Sequence, residues 1–407
     1  MQSVTERFLR YVKVNTTPDP DSETSPSTER QFDLLRMLRD ELIELGAKDV
    51  TLDEFGYVYA KIPATAEGLP RLGFLAHVDT SPDAPGEGVN PRIVENYDGG
   101  DVVLNKEKNV VLSPSEFPEL CDYVGQDLIV TDGTTLLGAD DKAGVAQIMT
   151  LCERLLSPDA PPHCEICVAF TPDEEIGRGT RHFDVQRFGA DFGYTMDGGR
   201  LGEIEYENFN AAAAKITVNG VSIHPGTAKN KMKNAILMAM EFHAMLPSAE
   251  APAHTEKYEG FYHLSDICGE VERCTLEYII RDHDMGLFEA RKAFMRKVAD
   301  YLNDKYGAGT FELDLSDTYY NMKEKVLPHM HLIENAKAAM KACGVEPIIQ
   351  PIRGGTDGAN LSYMGVPCPN LSTGGHNYHG RFEYIPVQSL AKMVDVMERI
   401  VAKYSAK

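Results

Sequence analysis

Apolar positions recur along the chain with two different periods. Between residues 28 and 45, Phe32, Leu35, Leu38, Leu42 and Leu45 fall three or four apart and Gly46 follows, which predicts an amphipathic helix with a glycine stop. Shorter apolar runs near 50–53, 57–62, 71–76 (RLGFLA), 164–170 (CEICVAF) and 192–196 (FGYTM) read as strands. Val145, Ile148, Met149, Cys152, Leu155 and Leu156 mark another helical stripe after residue 141. Alternation of the two through the first two hundred residues predicts an α/β fold, a mainly parallel sheet flanked by helices. From residue 208 the order changes to strand 211–219, helix 230–246, strands 261–267 and 271–281, helix 285–305 and strand 311–317. That is β-α-β-β-α-β, the ferredoxin-like arrangement. After about residue 320 the first style returns, with a helix at 328–343 ending at Gly344, a strand at 346–351 and a helix at 386–404. The chain thus reads as one discontinuous domain, 1–207 and 320–407, interrupted by an inserted domain, 208–319. The opening MQSVTERFLRYVKV reads as an amphipathic helix begun by a capping box from Ser3 to Glu6. Segments 16–28 and 78–118, rich in Pro, Asp, Ser and Gly, read as loops, the second long enough to shape or cover a site.

Charge narrows the partners. Among 407 residues, 62 Asp and Glu outnumber 40 Lys and Arg, for a formal net charge of −22. Such a balance argues against nucleic acid and anionic membranes and suits a site that collects cations. No apolar run approaches the roughly 18 to 20 residues of a membrane helix, and the N-terminus lacks a secretory apolar core, so a cytoplasmic protein is expected. The eight cysteines are scattered, mostly in apolar stretches, which agrees with a reducing compartment. Cys164 and Cys167, preceded by His163, have the spacing of a zinc half-site, but on a strand positions three apart point to opposite faces. These cysteines are expected in the core.

The strands at 71–76, 164–170 and 192–196 each end in a polar cluster: His77 and Asp79 after the first, Asp173, Glu174 and Glu175 after the second, Asp197 after the third. Asp140 and Asp141 open a helix, and His376 and His379 come late. Taken singly, each has an ordinary reading: a hydrogen-bonded pair, a helix cap, a solvated loop. Together, imidazole and carboxylate at the carboxyl ends of strands make a donor set suited to zinc or to cobalt and manganese.

The segments HVDTSPD (77–83), LLGADDKAG (136–144), TPDEEIGRG (171–179), MDGG (196–199), IHPG (223–226), RGGTDG (353–358) and NYHGRFE (377–383) resemble, in order and spacing, the zinc-dependent aminopeptidase, acylase and carboxypeptidase superfamily, and in it the tripeptide aminopeptidases. The resemblance implies two Zn2+ per chain, with Co2+ or Mn2+ as substitutes. Asp140 would bridge them, His77 and Asp197 would complete one shell, and Glu175 and His379 the other. Asp79 would hydrogen-bond His77 from behind, Glu174 would act as general base, and the Asp140–Asp141 peptide would be cis. Physically, two cations about 3.5 to 4 Å apart activate a shared water and stabilise the oxyanion of an attacked amide. With three anionic ligands the site stays net positive, so Glu174 and Glu175 tolerate one another; Asp173 is assigned to the turn.

The implied activity is metal-dependent hydrolysis of the N-terminal peptide bond of short peptides, tripeptides first. Alternatives are a deacylase, dipeptidase or carboxypeptidase built on the same centre or, from another class, a non-catalytic metal-binding protein. In the inserted domain His224 reads by itself as a surface loop residue, and the resemblance implies that it reaches a substrate carbonyl across a homodimer formed by that domain. Arg281 or Arg353 could hold a substrate carboxylate by a two-pronged fork, though for Arg281 an ion pair with Asp282 or Asp284 competes. Asn377 and Tyr378 are expected to line the pocket.

Overall fold

The computed structural model describes residues 2–405. By its internal contacts the chain divides into two compact units, one of Met1–Tyr206, Glu324–Gln350 and Thr356–Lys407, the other of Glu207–Lys323 and Pro351–Gly355. The second unit therefore takes residues 207, 320–323 and 351–355 beyond the span read from the sequence. Residues 351–355 join it because Ile352 donates its N–H to Glu207 and the Arg353 side chain is gripped by carbonyls of 255–259.

In the first unit, helix Val4–Tyr11 begins with both hydrogen bonds of the Ser3/Glu6 capping box, and helix Gln31–Leu45 ends at Gly46 with φ 92°. The main sheet runs in the order Lys48–Leu52, Val58–Ile62, Glu165–Thr171, Arg71–His77, Phe192–Gly198, Asn370–Ser372, Glu203–Glu205, Ile348–Ile349. Its central pairings, Glu165–Thr171 with Arg71–His77, Arg71–His77 with Phe192–Gly198 and Phe192–Gly198 with Asn370–Ser372, are parallel; both pairings at the Lys48–Leu52 edge are antiparallel. Parallel strands are covered on both faces, which is why RLGFLA and EICVAF are continuously apolar rather than alternating. Helix Ala139–Leu155 packs against strand Arg71–His77. Elsewhere Leu75, Cys167 and Ala169 share a core with Phe183 and Phe188. Gly73 is required there, since a Cβ would lie 2.5 Å from the Phe188 ring. Cys164 and Cys167 are both free and buried.

Three details differ from expectation. The segment 78–118 is not plain loop. Arg92–Val94 joins a three-stranded sheet with Leu128–Val130 and Tyr384–Pro386, Val102–Asn105 and Val110–Leu112 form a hairpin, and the whole closes on a core of Tyr97, Leu120, Tyr123 and Tyr384. Strands this short leave too few alternations to read. The strand expected at 346–351 shrinks to Ile348–Ile349, and helix Asp357–Tyr363 follows Gly354 and Gly355, where glycine suggests only a turn. No helix among the described residues is long and apolar enough to cross a membrane.

The second unit is a four-stranded antiparallel sheet, ordered Phe261–Gly269, Arg273–Asp282, Asn210–Asn219, Phe311–Tyr319, with helices Ala235–Met245 and Met285–Tyr306. Cys274, Leu276, Tyr278 and Ile280 alternate inward against Phe242, Phe288 and Met295 of the helices. Asn234 and Asp284 cap the two helices through backbone N–H groups.

Candidate metal centre

Three neighbouring parallel strands end at the same edge of the main sheet, and each delivers polar residues there. His77 is the last residue of Arg71–His77, Asp197 lies near the end of Phe192–Gly198, and Glu174–Ile176 is a single helical turn just beyond Glu165–Thr171. Asp140 sits at the start of Ala139–Leu155, where φ/ψ of Asp140 and Asp141 are not helical and the Asp140–Asp141 peptide is cis. His379, with φ 63°, comes from the loop between Asn370–Ser372 and Tyr384–Pro386.

These side chains converge around Asp140. Its Oδ1 lies 3.0 Å from His77 Nε2 and its Oδ2 3.3 Å from His379 Nε2. His77 Nε2 also faces Asp197 Oδ1 at 3.5 Å, and His379 Nε2 faces Glu175 Oε2 at 3.1 Å. Each imidazole nitrogen thus confronts two carboxylate oxygens, one from the shared Asp140, although a single N–H satisfies only one of them. Glu175 Oε1 is buried without any hydrogen-bond partner. His77 is buried, whereas 43% of the His379 side chain is exposed, so His379 stands at the open rim of the cluster.

The electrostatics describe anions waiting for a counter-charge. Burial, followed by the charge of Asp140, pushes Glu175 up to about 10. Burial and then Asp197 hold Glu174 well above the carboxylate range, and burial raises Asp197 itself. Burial disfavours charge on His77, but hydrogen bonds to Asp140, Asp197 and Asp79 outweigh it and hold the ring well above its ordinary value. Asp140 is likewise opposed by burial yet held low by hydrogen bonds from His379 and His77. Buried like charges at this spacing persist when a cation compensates them. The orphaned Glu175 oxygen and the doubly faced imidazoles fit a metal centre held by His77, Asp140, Glu175, Asp197 and His379.

Supporting residues fix these donors. His77 Nδ1 lies 3.0 Å from the backbone carbonyl of Asp79 and 3.4 Å from its carboxylate. The fully buried Asp79 carboxylate itself accepts the N–H groups of Glu174 and Glu175, both at 3.0 Å, so it seats the turn that presents them. Asp173, at φ 57°, accepts from Ser27 N, Ser27 Oγ and Gln31 Nε2 and ties that turn to the start of helix Gln31–Leu45.

Four further residues contribute: Asp141 belongs to a polar cluster that the sequence marks but carries no role there, and Thr356, Asp357 and Glu383 are not singled out. Asp141 comes close enough to His77 and Asp197 to complete a second donor group. Its carboxylate accepts from His77 N and Gly144 N, which links the strand end to the helix start. Thr356 Oγ1 donates to Asp197 Oδ2, and Asp357 accepts from Thr171 Oγ1. Glu383 accepts three backbone N–H groups of the loop before Asp140. The only sequence signal was their membership in the quoted motifs.

The other candidates have different surroundings. His376 pairs through Nε2 with Tyr123 Oη at 2.7 Å and stacks on Tyr384, and burial pushes it down to about 4, so it stays neutral. Asn377 donates Nδ2 to Phe382 O and closes its own loop, while Tyr378 Oη donates to Gly198 O. In the second unit, His224 is exposed and its Nδ1 accepts from Gly226 N. Arg353 spends Nη1 on the carbonyls of Lys257 and Glu259 and Nη2 on Thr255, with its guanidinium over Phe209 and Phe261. The ion pair weighed for Arg281 does not form, because Asp282 binds Arg291 and Asp284 caps a helix. Arg281 gives Nη1 to Arg353 O, and its Nε is buried without a partner.

Residues 132–403 match the model of peptidase family M20/M25/M40. A relative from Halothermothrix orenii, named peptidase T, is 60% identical over 408 residues and the alignment covers all of both chains. Another peptidase T, from Geobacillus kaustophilus, is 56% identical over 407 residues, covering 100% of this chain and 99% of that one. The crystal structure of the aminopeptidase PepT from Bacillus cereus superposes with a TM-score of 0.78 at 25% identity, covering 99% and 98% of the two chains. A tripeptidase structure from Staphylococcus aureus shares the fold, with a TM-score of 0.80 at 22% identity over the same shares. The family model spans about two thirds of the sequence and the relatives span all of it: the chain belongs to peptidase family M20/M25/M40.

Proposed function

We infer that the chain is a metal-dependent aminopeptidase that releases the N-terminal residue of short peptides, tripeptides above all. The observation that carries this reading is the Asp140 carboxylate set between two imidazoles, each also faced by a further carboxylate. The full-length likeness to proteins named peptidase T supports the substrate class. His77, Asp140 and Asp197 would hold one cation and Asp140, Glu175 and His379 another, zinc first and cobalt or manganese as substitutes. Bound there, the cations supply Lewis acidity toward water and toward a developing oxyanion. Asp79 orients His77 and the Glu174–Glu175 turn. Glu174 takes the proton of the attacking water and returns it to the leaving amine nitrogen.

Arg281 would receive the peptide carboxylate, since its Nε lacks an acceptor and no acidic side chain pairs with it among the described residues. Arg353, with both terminal nitrogens engaged, supports that strand end instead. The test compares free and C-terminally amidated tripeptides, together with dipeptides and acyl-amino acids. Wild type is expected to prefer the free tripeptide. In Arg281→Met the preference over the amide collapses by about tenfold to a hundredfold, the worth of one charged hydrogen bond. A wild-type preference for acyl-amino acids would refute the tripeptide assignment, and an unchanged gap in the variant would remove Arg281 from its role.

A homodimer through the second unit accompanies this reading. Leu237 and Met240 are 62% and 57% exposed on one helix, and Leu287, Phe294 and Tyr301 stand seven apart on the next, a run of apolar surface unusual for solvent. His224, exposed and with Nδ1 taken by Gly226 N, would then serve the neighbouring copy through Nε2. Sedimentation velocity at micromolar concentration is expected to give a dimer that Met240→Lys weakens; a wild-type monomer throughout would end this part. The eight cysteines, none disulfide-bonded, support a cytoplasmic setting.

A further inference from the structure

We propose that Glu383 is a positioning residue that sets the metal affinity of the centre by clamping the backbone that carries Asp140. Resting on the metal-dependent reading above, it concerns a residue that touches neither substrate nor metal. Glu383 is 1% exposed and lies just before strand Tyr384–Pro386. Its Oε2 accepts from Leu137 N at 2.7 Å and Gly138 N at 2.8 Å, and its Oε1 accepts from Asp140 N at 3.1 Å. Gly138 has φ 82°, and the helix dihedrals are not yet established at Asp140 and Asp141, so these N–H groups point away from any helical acceptor. A buried N–H without a partner is costly, and one carboxylate meets the need of all three. The loop is thereby fixed on both sides of Gly138, and the side chain of Asp140 leaves it toward His77 and His379.

Lys142 is 1% exposed and donates Nζ to the carbonyl of Val14. Burial pushes it down to about 7, and the charges of Glu383 and Asp79 oppose that shift. Asp79 seats the Glu174–Glu175 turn in the same manner, by two N–H groups on one carboxylate. Two buried carboxylates thus hold the two loops whose residues meet at the cluster. A shift of either loop would pull a donor away from its partner nitrogen, and outer supports of this kind typically change metal affinity by about 10–100-fold.

The variants are Glu383→Gln and Glu383→Asp. The amide of Gln presents one oxygen and one NH2 group, so at least one backbone N–H then meets a donor. Zinc affinity is read by chelator competition on the folded protein, with kcat and KM for a tripeptide measured at saturating zinc. Glu383→Gln is expected to bind zinc about 10–100-fold more weakly, with kcat reduced and KM little changed. Glu383→Asp, which keeps the charge at shorter reach, recovers part of both. Arg7→Met, which breaks a buried ion pair with Glu41 and Glu153, supplies a destabilised reference whose zinc affinity stays at the wild-type value. Wild-type zinc affinity in Glu383→Gln would overturn the proposal, as would an equal loss in Arg7→Met. If Glu383→Gln fails to fold, unchanged affinity in Glu383→Asp decides against it in the same way. Failure of the wild type to bind zinc is a different outcome, since it refutes the metal-dependent reading itself.

Discussion

Replacement of Glu174 by Gln is expected to leave a folded protein that binds metal as the wild type does and turns over tripeptides about 10²–10⁴ times more slowly. Volume and shape are retained, and the contacts that place this residue are made by its backbone: its N–H goes to Asp79 and its carbonyl accepts from Gly177. What Gln lacks is the ability to take a proton. Burial and then the charge of Asp197 favour the protonated form of Glu174, and cationic charge beside it favours the carboxylate needed for a base. The loss should therefore appear in kcat, with KM within a few-fold, because the ground-state contacts of the substrate are untouched. Steady-state kinetics together with metal analysis check both halves. Near-normal turnover would take Glu174 out of the mechanism.

Why Glu174 was legible while Glu383 was not is a matter of range. Glu174, His77 and Asp197 each follow an apolar run whose end marks the carboxyl edge of a parallel strand, and polar residues at that edge converge whatever the loops do. The strand ends mark the candidates, and the resemblance of the surrounding motifs implies which of them serve as donors and which as base. Glu383 acts on residues 243 to 246 positions away through backbone N–H groups, and no local pattern distinguishes it from an ordinary surface glutamate. Lys142 reads as a helix-surface lysine until packing buries it. Asp173 shows the intermediate case. Its αL turn suits the position between Thr171 and Glu174, but its tie to Ser27 and Gln31 depends on where helix Gln31–Leu45 lands. The same reasoning explains Arg281 and Arg353, both candidate forks in the sequence, which differ because only Arg353 is enclosed by several carbonyl oxygens. Strands of three residues, such as Arg92–Val94 and Leu128–Val130, escape for want of length, since one alternation is not a period.

Asp140→Asn separates binding of the metals from the chemistry. Asp140 faces both imidazoles, with one oxygen toward each, so an amide retains at most one acceptor and turns an NH2 group toward the other nitrogen. A shared negative charge is lost from the centre at the same time. Zinc affinity is expected to fall by more than the about 10–100-fold typical of removing an outer support, because here a direct donor to both positions is removed. Activity at micromolar zinc should vanish, unlike that of Glu174→Gln, which keeps its metal. The fold should survive, because Glu383 and Asp141 bind backbone N–H groups of this region without using the Asp140 side chain. Melting then offers an independent reading. Zinc at about 100 times its Kd stabilises the wild type by about 2.7 kcal/mol per site, and the variant should show little of that gain. A chelator should bring the two melting curves together by lowering the wild type alone. If Asp140→Asn instead retained both metals at wild-type affinity, the carboxylate between His77 and His379 would be an ordinary buried ion pair, and the assignment of a shared donor would fall with it.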